Sequence, residues 1–66
     1  MNVTRSIAIC MAEAGIRQKV VAERMGVSET QVSRIMTNNV CSIKTIEQLA
    51  EAFGIEDWEF IKKGGQ

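Results

Sequence analysis

There is no histidine in this chain and no proline, and there are only two cysteines. Without histidine, and with no paired carboxylates that the sequence sets into a pocket, the usual means of acid–base and nucleophilic catalysis are lacking. An enzyme is therefore not expected. Cys10 and Cys41 lie thirty-one positions apart, which matches no zinc spacing, so no metal and no cofactor are expected. A disulfide is uncommon in a cytosolic chain, and the two read instead as small buried hydrophobes. No run approaches the roughly 20 apolar residues of a membrane span, and the N-terminus lacks the apolar core of a signal peptide. A cytoplasmic protein with no membrane partner and no small-molecule ligand is the expectation.

Net charge is missing too, which on its face counts against a nucleic-acid partner. The distribution matters more than the sum. Residues 1–44 carry Arg5, Arg17, Lys19, Arg24, Arg34 and Lys44 against Glu13, Glu23 and Glu29, a balance of +3. Residues 45–66 carry Lys62 and Lys63 against Glu47, Glu51, Glu56, Asp57 and Glu59, a balance of −3. The chain is an electrical dipole. At 66 residues it makes a single domain, 1–66, near the lower limit for folding without disulfides or metals.

What is present centres on Gln18 to Met36, QKVVAERMGVSETQVSRIM. Val21, Ala22 and Met25 recur at helical spacing, Gly26-Val27 interrupts, and Val32, Ile35 and Met36 recur again. Gly26 can turn with positive φ at no steric cost. Ser28 follows as an N-cap, with Gln31 completing a capping box. Two helices held at a wide angle by so short a turn form a helix-turn-helix, whose second helix usually enters the DNA major groove.

Around this unit the periodicity predicts three more helices. The first spans 3 to 14, with Ile7, Cys10, Met11 and Ala14 on one face and Asn2 or Thr4 as its cap. Gly15-Ile16 ends it, and Ile9 falls off the main stripe, either widening the core or meeting a partner. The second begins near Gln18 with a poor cap, because Arg17 cannot accept a hydrogen bond from first-turn amides. The third runs from Glu29 to Met36 or Thr37 and is ended by Thr37-Asn38-Asn39. Ser42 caps the fourth, whose stripe is Ile43, Ile46, Leu49, Ala50 and Phe53, and Gly54-Ile55 stops it. Asp57 caps a short fifth helix with Trp58, Phe60 and Ile61, and residues 62–66 form a frayed basic, glycine-rich tail.

Read together, Gln18, Val21, Ala22, Gly26, Val27, Ser28, Val32 and Ser33 resemble the pattern of the Cro/lambda-repressor type of helix-turn-helix. A second block typical of that family follows as Ser42-Ile43, Ile46, Leu49-Ala50 and Phe53-Gly54-Ile55. The two blocks cover about residues 16 to 55. The resemblance implies an all-α, compact five-helix, lambda-repressor-like DNA-binding domain in a bacterial host cytoplasm. There are departures. Relatives usually have Ser, Thr or Asn where this chain has Arg17, and often Asn-Gly where it has Thr37-Asn38. Several place a buried Arg and Glu at the positions of Met11 and Met36, where apolar packing of two methionines need not cost stability.

With Val32, Ile35 and Met36 turned to the core, Glu29, Thr30, Ser33 and Arg34 are left outward, with Gln31 at the margin. Glu29 can accept from cytosine N4, Thr30 can meet a thymine methyl, and Arg34 can fork onto guanine. Each has a plainer explanation as a solvated surface polar, Glu29 as a carboxylate at a positive helix end, and Gln31 as half of a capping box. The resemblance implies that Gln18 bridges a phosphate and the recognition helix. Arg17, Lys19, Asn38, Asn39, Ser42 and Lys44 are the candidates for phosphate contact, with a shallow salt dependence expected from so few cations.

One recognition helix reads too few base pairs for useful specificity, so two-fold pairing on half-sites roughly 34 Å apart is expected. Ile55, Glu56 and Trp58 are the candidate dimer surface, Trp58 as an aromatic anchor; alternatively Trp58 closes the small core with Phe60 and Ile61. The partners expected are double-stranded operator DNA and a second copy, bound weakly without DNA. The expected function is a small sequence-specific repressor similar to phage Cro, its shortness favouring Cro over the longer phage repressors. An antitoxin-type regulator, or a helix-turn-helix reused as a protein-interaction module, is the alternative.

Overall fold

The computed structural model describes residues 2–39 and 42–65, so the expectation for Cys41 lies outside the described residues. Five helices follow one another: α1 (Val3–Ala14), α2 (Gln18–Met25), α3 (Glu29–Asn38), α4 (Ile43–Phe53) and α5 (Asp57–Gly64). There is no strand among the described residues. The expected all-α, five-helix architecture is the one found.

The starts of the helices follow their cap residues. Asn2 caps α1, its Oδ1 accepting the Arg5 N–H at 2.9 Å, which leaves Thr4 inside the first turn for another task. Ser28 Oγ accepts the Gln31 N–H at 3.2 Å and Ser42 Oγ accepts the Thr45 N–H at 3.2 Å. Arg17 occupies the extended cap position of α2 and makes no side-chain cap bond, as its chemistry requires. Two expectations are corrected. The cap position of α5 belongs to Glu56, with no side-chain bond, while Asp57 is the first helical residue, where its charge suits the positive helix end. α3 is also longer than expected: Asn38 is still helical, and Asn39 takes the left-handed cap with φ 56°.

Every helix contributes to one core. Val3, Ile7 and Cys10 come from α1, Val21 and Ala22 from α2, Val32 from α3, Leu49 and Ala50 from α4, and Phe60 from α5. Met11 and Met36 are partly buried against it. Not every residue of the expected stripes is inside. Ala14 is exposed at the end of α1, and Ile9 is half-buried outside the core cluster. Ile43 is 77 % exposed although Leu49, two turns on, is fully buried. The first turn of α4 therefore stands outside the core while its second half, Leu49, Ala50 and Ala52, is enclosed.

The expected frayed tail is the largest correction. Lys62, Lys63 and Gly64 continue α5, and Gly64 is buried. The Asn2 N–H donates to the Gly64 carbonyl at 3.0 Å, and the buried Ser6 hydroxyl donates to the Phe60 carbonyl. A Cβ at position 64 would lie 2.5 Å from both the Asn2 carbonyl oxygen and Ser6 Oγ. Only glycine lets the two backbones approach this closely, so a residue that reads locally as a helix breaker is here a packing residue.

Candidate nucleic-acid interface

The interface is built by the turn between α2 and α3. Gly26 ends α2 in the left-handed conformation, φ 72°, and the Val27 N–H returns to the Ala22 carbonyl at 3.0 Å. This doubly bonded helix end fixes the direction in which the chain leaves α2. Val27 then packs against the core, and Ser28 starts α3. The turn is short and bonded at both ends, so it holds the two helices in one relation.

Val32 is the pivot of α3. It is fully buried, with Ile35 and Met36 partly buried behind it, and this turns the opposite side of the helix outward. Glu29, Thr30, Gln31, Ser33 and Arg34 are all exposed. Among the described residues the side chains of Glu29, Thr30, Gln31 and Arg34 make no hydrogen bond to the protein, so their donors and acceptors are presented to solvent. The capping box is only half formed: Ser28 caps the Gln31 amide, but the Gln31 side chain does not return the bond.

Gln18 and Ser33 come together. Gln18 Nε2 donates to Ser33 Oγ at 2.5 Å and reaches the Glu29 carbonyl at 3.4 Å. The first residue of α2 thus ties down the first turns of α3, while the Ser33 hydroxyl keeps a proton to donate outward.

The remaining cations and amides fall at three helix ends. Arg17 and Lys19 stand at the start of α2, Asn38 and Asn39 at the end of α3, and Ser42 and Lys44 at the start of α4; all are exposed. Two of them are already engaged. Ser42 Oγ caps α4 and lies 3.1 Å from Thr45 Oγ1. Asn39 Oδ1 accepts the Thr4 N–H at 3.1 Å. Thr4, read from the sequence only as a possible cap, finds its partner 35 positions away, and no local pattern signals that contact. Arg24, by contrast, is spent on architecture, donating to the Ala52 carbonyl of α4 at 2.9 Å.

On α5, Trp58 is 62 % exposed and Ile61 44 % exposed, so closing the core falls to Phe60 alone. Glu56 is exposed beside Trp58 in sequence, and Ile55 is half-buried against the core. The basic residue Lys63 is paired with Glu13 at 2.6 Å; that hydrogen bond raises the Lys63 pKa above the ordinary lysine value. Cys10 is a free, buried thiol whose pKa burial pushes up, which keeps it protonated and unreactive. No cluster of three or more Cys, Asp or Glu side chains able to hold a metal ion occurs among the described residues. Among them, too, no helix is long and apolar enough to cross a membrane.

A short bonded turn, a recognition helix with an unengaged polar face, and an anchoring glutamine define a helix-turn-helix. The helix-turn-helix family model matches residues 7–57 of the chain. The chain belongs to that family, in its Cro/lambda-repressor type, and is a DNA-binding domain of the kind found in transcription regulators. Among curated proteins and among solved structures, none matches the chain.

Proposed function

We propose that this protein is a sequence-specific repressor similar to phage Cro, which binds a pseudo-palindromic operator as a dimer and blocks RNA polymerase by occupancy, without chemistry of its own. The observation that carries the reading is the outward face of α3, where Glu29, Thr30, Gln31 and Arg34 offer unengaged polar groups on a helix held rigidly by Gln18. Arg34 would fork onto guanine, Glu29 accept from cytosine and Thr30 meet a thymine methyl, while Arg17, Lys19 and Lys44 neutralise phosphates and Asn38 hydrogen-bonds one.

Size supports two copies. The domain is 27 Å in its longest direction, less than the roughly 34 Å that separates half-sites one helical turn apart. One copy therefore reads one half-site. The exposed Trp58, with Glu56 and Ile55, is the surface proposed to meet its counterpart, a pairing expected to be weak until DNA holds both copies.

The test is selection of bound duplexes from a random pool, repeated with Arg34→Ala. An enriched inverted repeat, relaxed at one symmetric position in the variant by about 1–3 kcal/mol of discrimination, is expected. Enrichment without symmetry would remove the dimer from the proposal. No enrichment even at low salt would turn the reading to a protein-interaction module.

A further inference from the structure

Thr4 and Asn39 link α1 to the far end of α3, a connection that the proposed DNA contacts do not use. The first amides of a helix and its last carbonyls lack intrahelical partners. In α1 the Arg5 N–H is satisfied locally by Asn2, but the Thr4 N–H goes to Asn39 Oδ1, 3.1 Å away in the cap of α3. The Thr4 hydroxyl donates in the opposite direction, to the Met36 carbonyl in the last turn of α3. The two helix ends are thus joined in both directions: Asn39 in the cap of α3 accepts a first-turn amide of α1, and a side chain of α1 donates to a last-turn carbonyl of α3. With a longer contact from the Thr4 hydroxyl to Asn39 Oδ1 at 3.5 Å, these are the only hydrogen bonds between α1 and α3 with its cap among the described residues. Asn39 is also the only non-glycine residue with positive φ among them, held in a conformation that glycine or asparagine tolerates. Because Thr4 presents an N–H, the oxygen of the Asn39 carboxamide must face it.

The second observation concerns how little else orients α3. It has a single fully buried side chain, Val32, near its middle. With Ile35 and Met36 only partly buried beside Val32, the direction of α3 depends on what holds its two ends as well as on the α2–α3 turn. Gln18 holds the start. Thr4 and Asn39 hold the end. α1 is a firm reference for this, since Val3, Ser6, Ile7 and Cys10 are all buried.

The geometry points to Thr4 and Asn39 as a positioning pair that sets the angle of the recognition helix, and through it sequence selectivity, without touching a base. The selectivity rests on the DNA reading proposed above; the positioning itself does not. Bidentate base contacts demand fixed donor directions, so a small rotation of α3 would displace Arg34 and Glu29 together.

Three variants test this. Thr4→Val removes the hydroxyl at nearly constant shape, Thr4→Ser retains it, and Asn39→Gly keeps the left-handed cap while deleting the carboxamide. Amide residual dipolar couplings of the free protein report the α1–α3 angle, and competition between the selected duplex and a scrambled one reports selectivity. Both are read well below the melting midpoint. The expected result is a changed angle and about tenfold lower selectivity in Thr4→Val and Asn39→Gly, with Thr4→Ser close to the parent. An unchanged angle in both, with only a lower melting temperature, would overturn the proposal. So would an Asn39→Gly effect confined to affinity for all duplexes alike, with the salt slope unchanged and Thr4→Val silent; that result would make Asn39 a neutral phosphate contact. A changed angle in a protein whose parent enriches no duplex would uphold the pair as what orients α3 and remove the DNA reading instead.

Discussion

The α1–α5 seam and the recognition helix are held by opposite means. At the seam two helices touch backbone to backbone, with Ser6 and Phe60 fully buried and the chain's beginning bonded to Gly64. In α3 one residue is fully buried and most of the helix surface faces water. Tight packing tolerates neither added nor lost volume, whereas exposed polar positions change at little cost to stability. The difference teaches where each property of this small domain resides. Packing constrains the seam most, and the exposed face of α3 is left free to vary.

The sharpest break of that comparison is Gly64→Ala. The new Cβ would meet the Asn2 carbonyl and Ser6 Oγ at 2.5 Å, and neither can retreat cheaply, one being backbone and the other bonded to Phe60. Forcing the helices apart should cost about 1–3 kcal/mol, and each kcal/mol lowers the melting temperature of so small a domain by roughly 4–8 °C. The adjacent Gly65→Ala is the control: its Cβ would come no nearer than 3.4 Å to any neighbour, and its φ of −91° suits alanine. Thermal melts of the pair should separate by several degrees. Equal melting temperatures would mean that the seam is not where the fold is braced.

The same contrast explains what could be read from the sequence. Helices α1 to α4 follow local signals, since Asn2, Ser28 and Ser42 cap and Gly15, Gly26 and Gly54 stop, within a residue or two of the chain they control. The outward face of α3 is legible for the same reason, because the spacing of Val32, Ile35 and Met36 determines its opposite side. What escapes is long-range. Gly64-Gly65 reads as a loose end until Asn2 and Ser6 are known to lie against it. Asn39 reads as a helix stop with a spare amide until Thr4 is found there. Ile43 keeps the period of its helix yet stands outside, since periodicity gives a face and not how far along that face the core extends.

Arg17 allows the comparison to be sharpened from the DNA side. It sits in extended geometry, φ −95° and ψ 164°, at a cap position that serine would fill with a bond to a first-turn amide. Arg17→Ser should therefore stabilise the fold, by about 1 kcal/mol. If Arg17 also neutralises a phosphate, the same change lowers DNA affinity and reduces the salt slope by about 0.9. Melting and binding would then move in opposite directions, as expected where a residue has been kept for its partner at some cost to the fold. A stabilised variant with unaltered binding would assign Arg17 to the solvated surface.

The smallest effect is expected at the one ion pair between the seam helices, Glu13 with Lys63. The bond raises the Lys63 pKa, and a cation whose folded pKa is raised contributes stability that is complete below its unfolded pKa. That contribution disappears as pH climbs through the raised value, far above neutrality. At neutral pH the lysine is therefore charged, yet Glu13 is 61 % exposed, and water and salt screen such a pair. Glu13→Gln should leave the melting temperature at pH 7 within error of the parent, while Gly64→Ala, one residue from the same lysine, should lower it plainly. A loss in Glu13→Gln that grows as salt is removed would show that charge braces the seam; salt-independent melts would leave the close approach of the two backbones as what holds it.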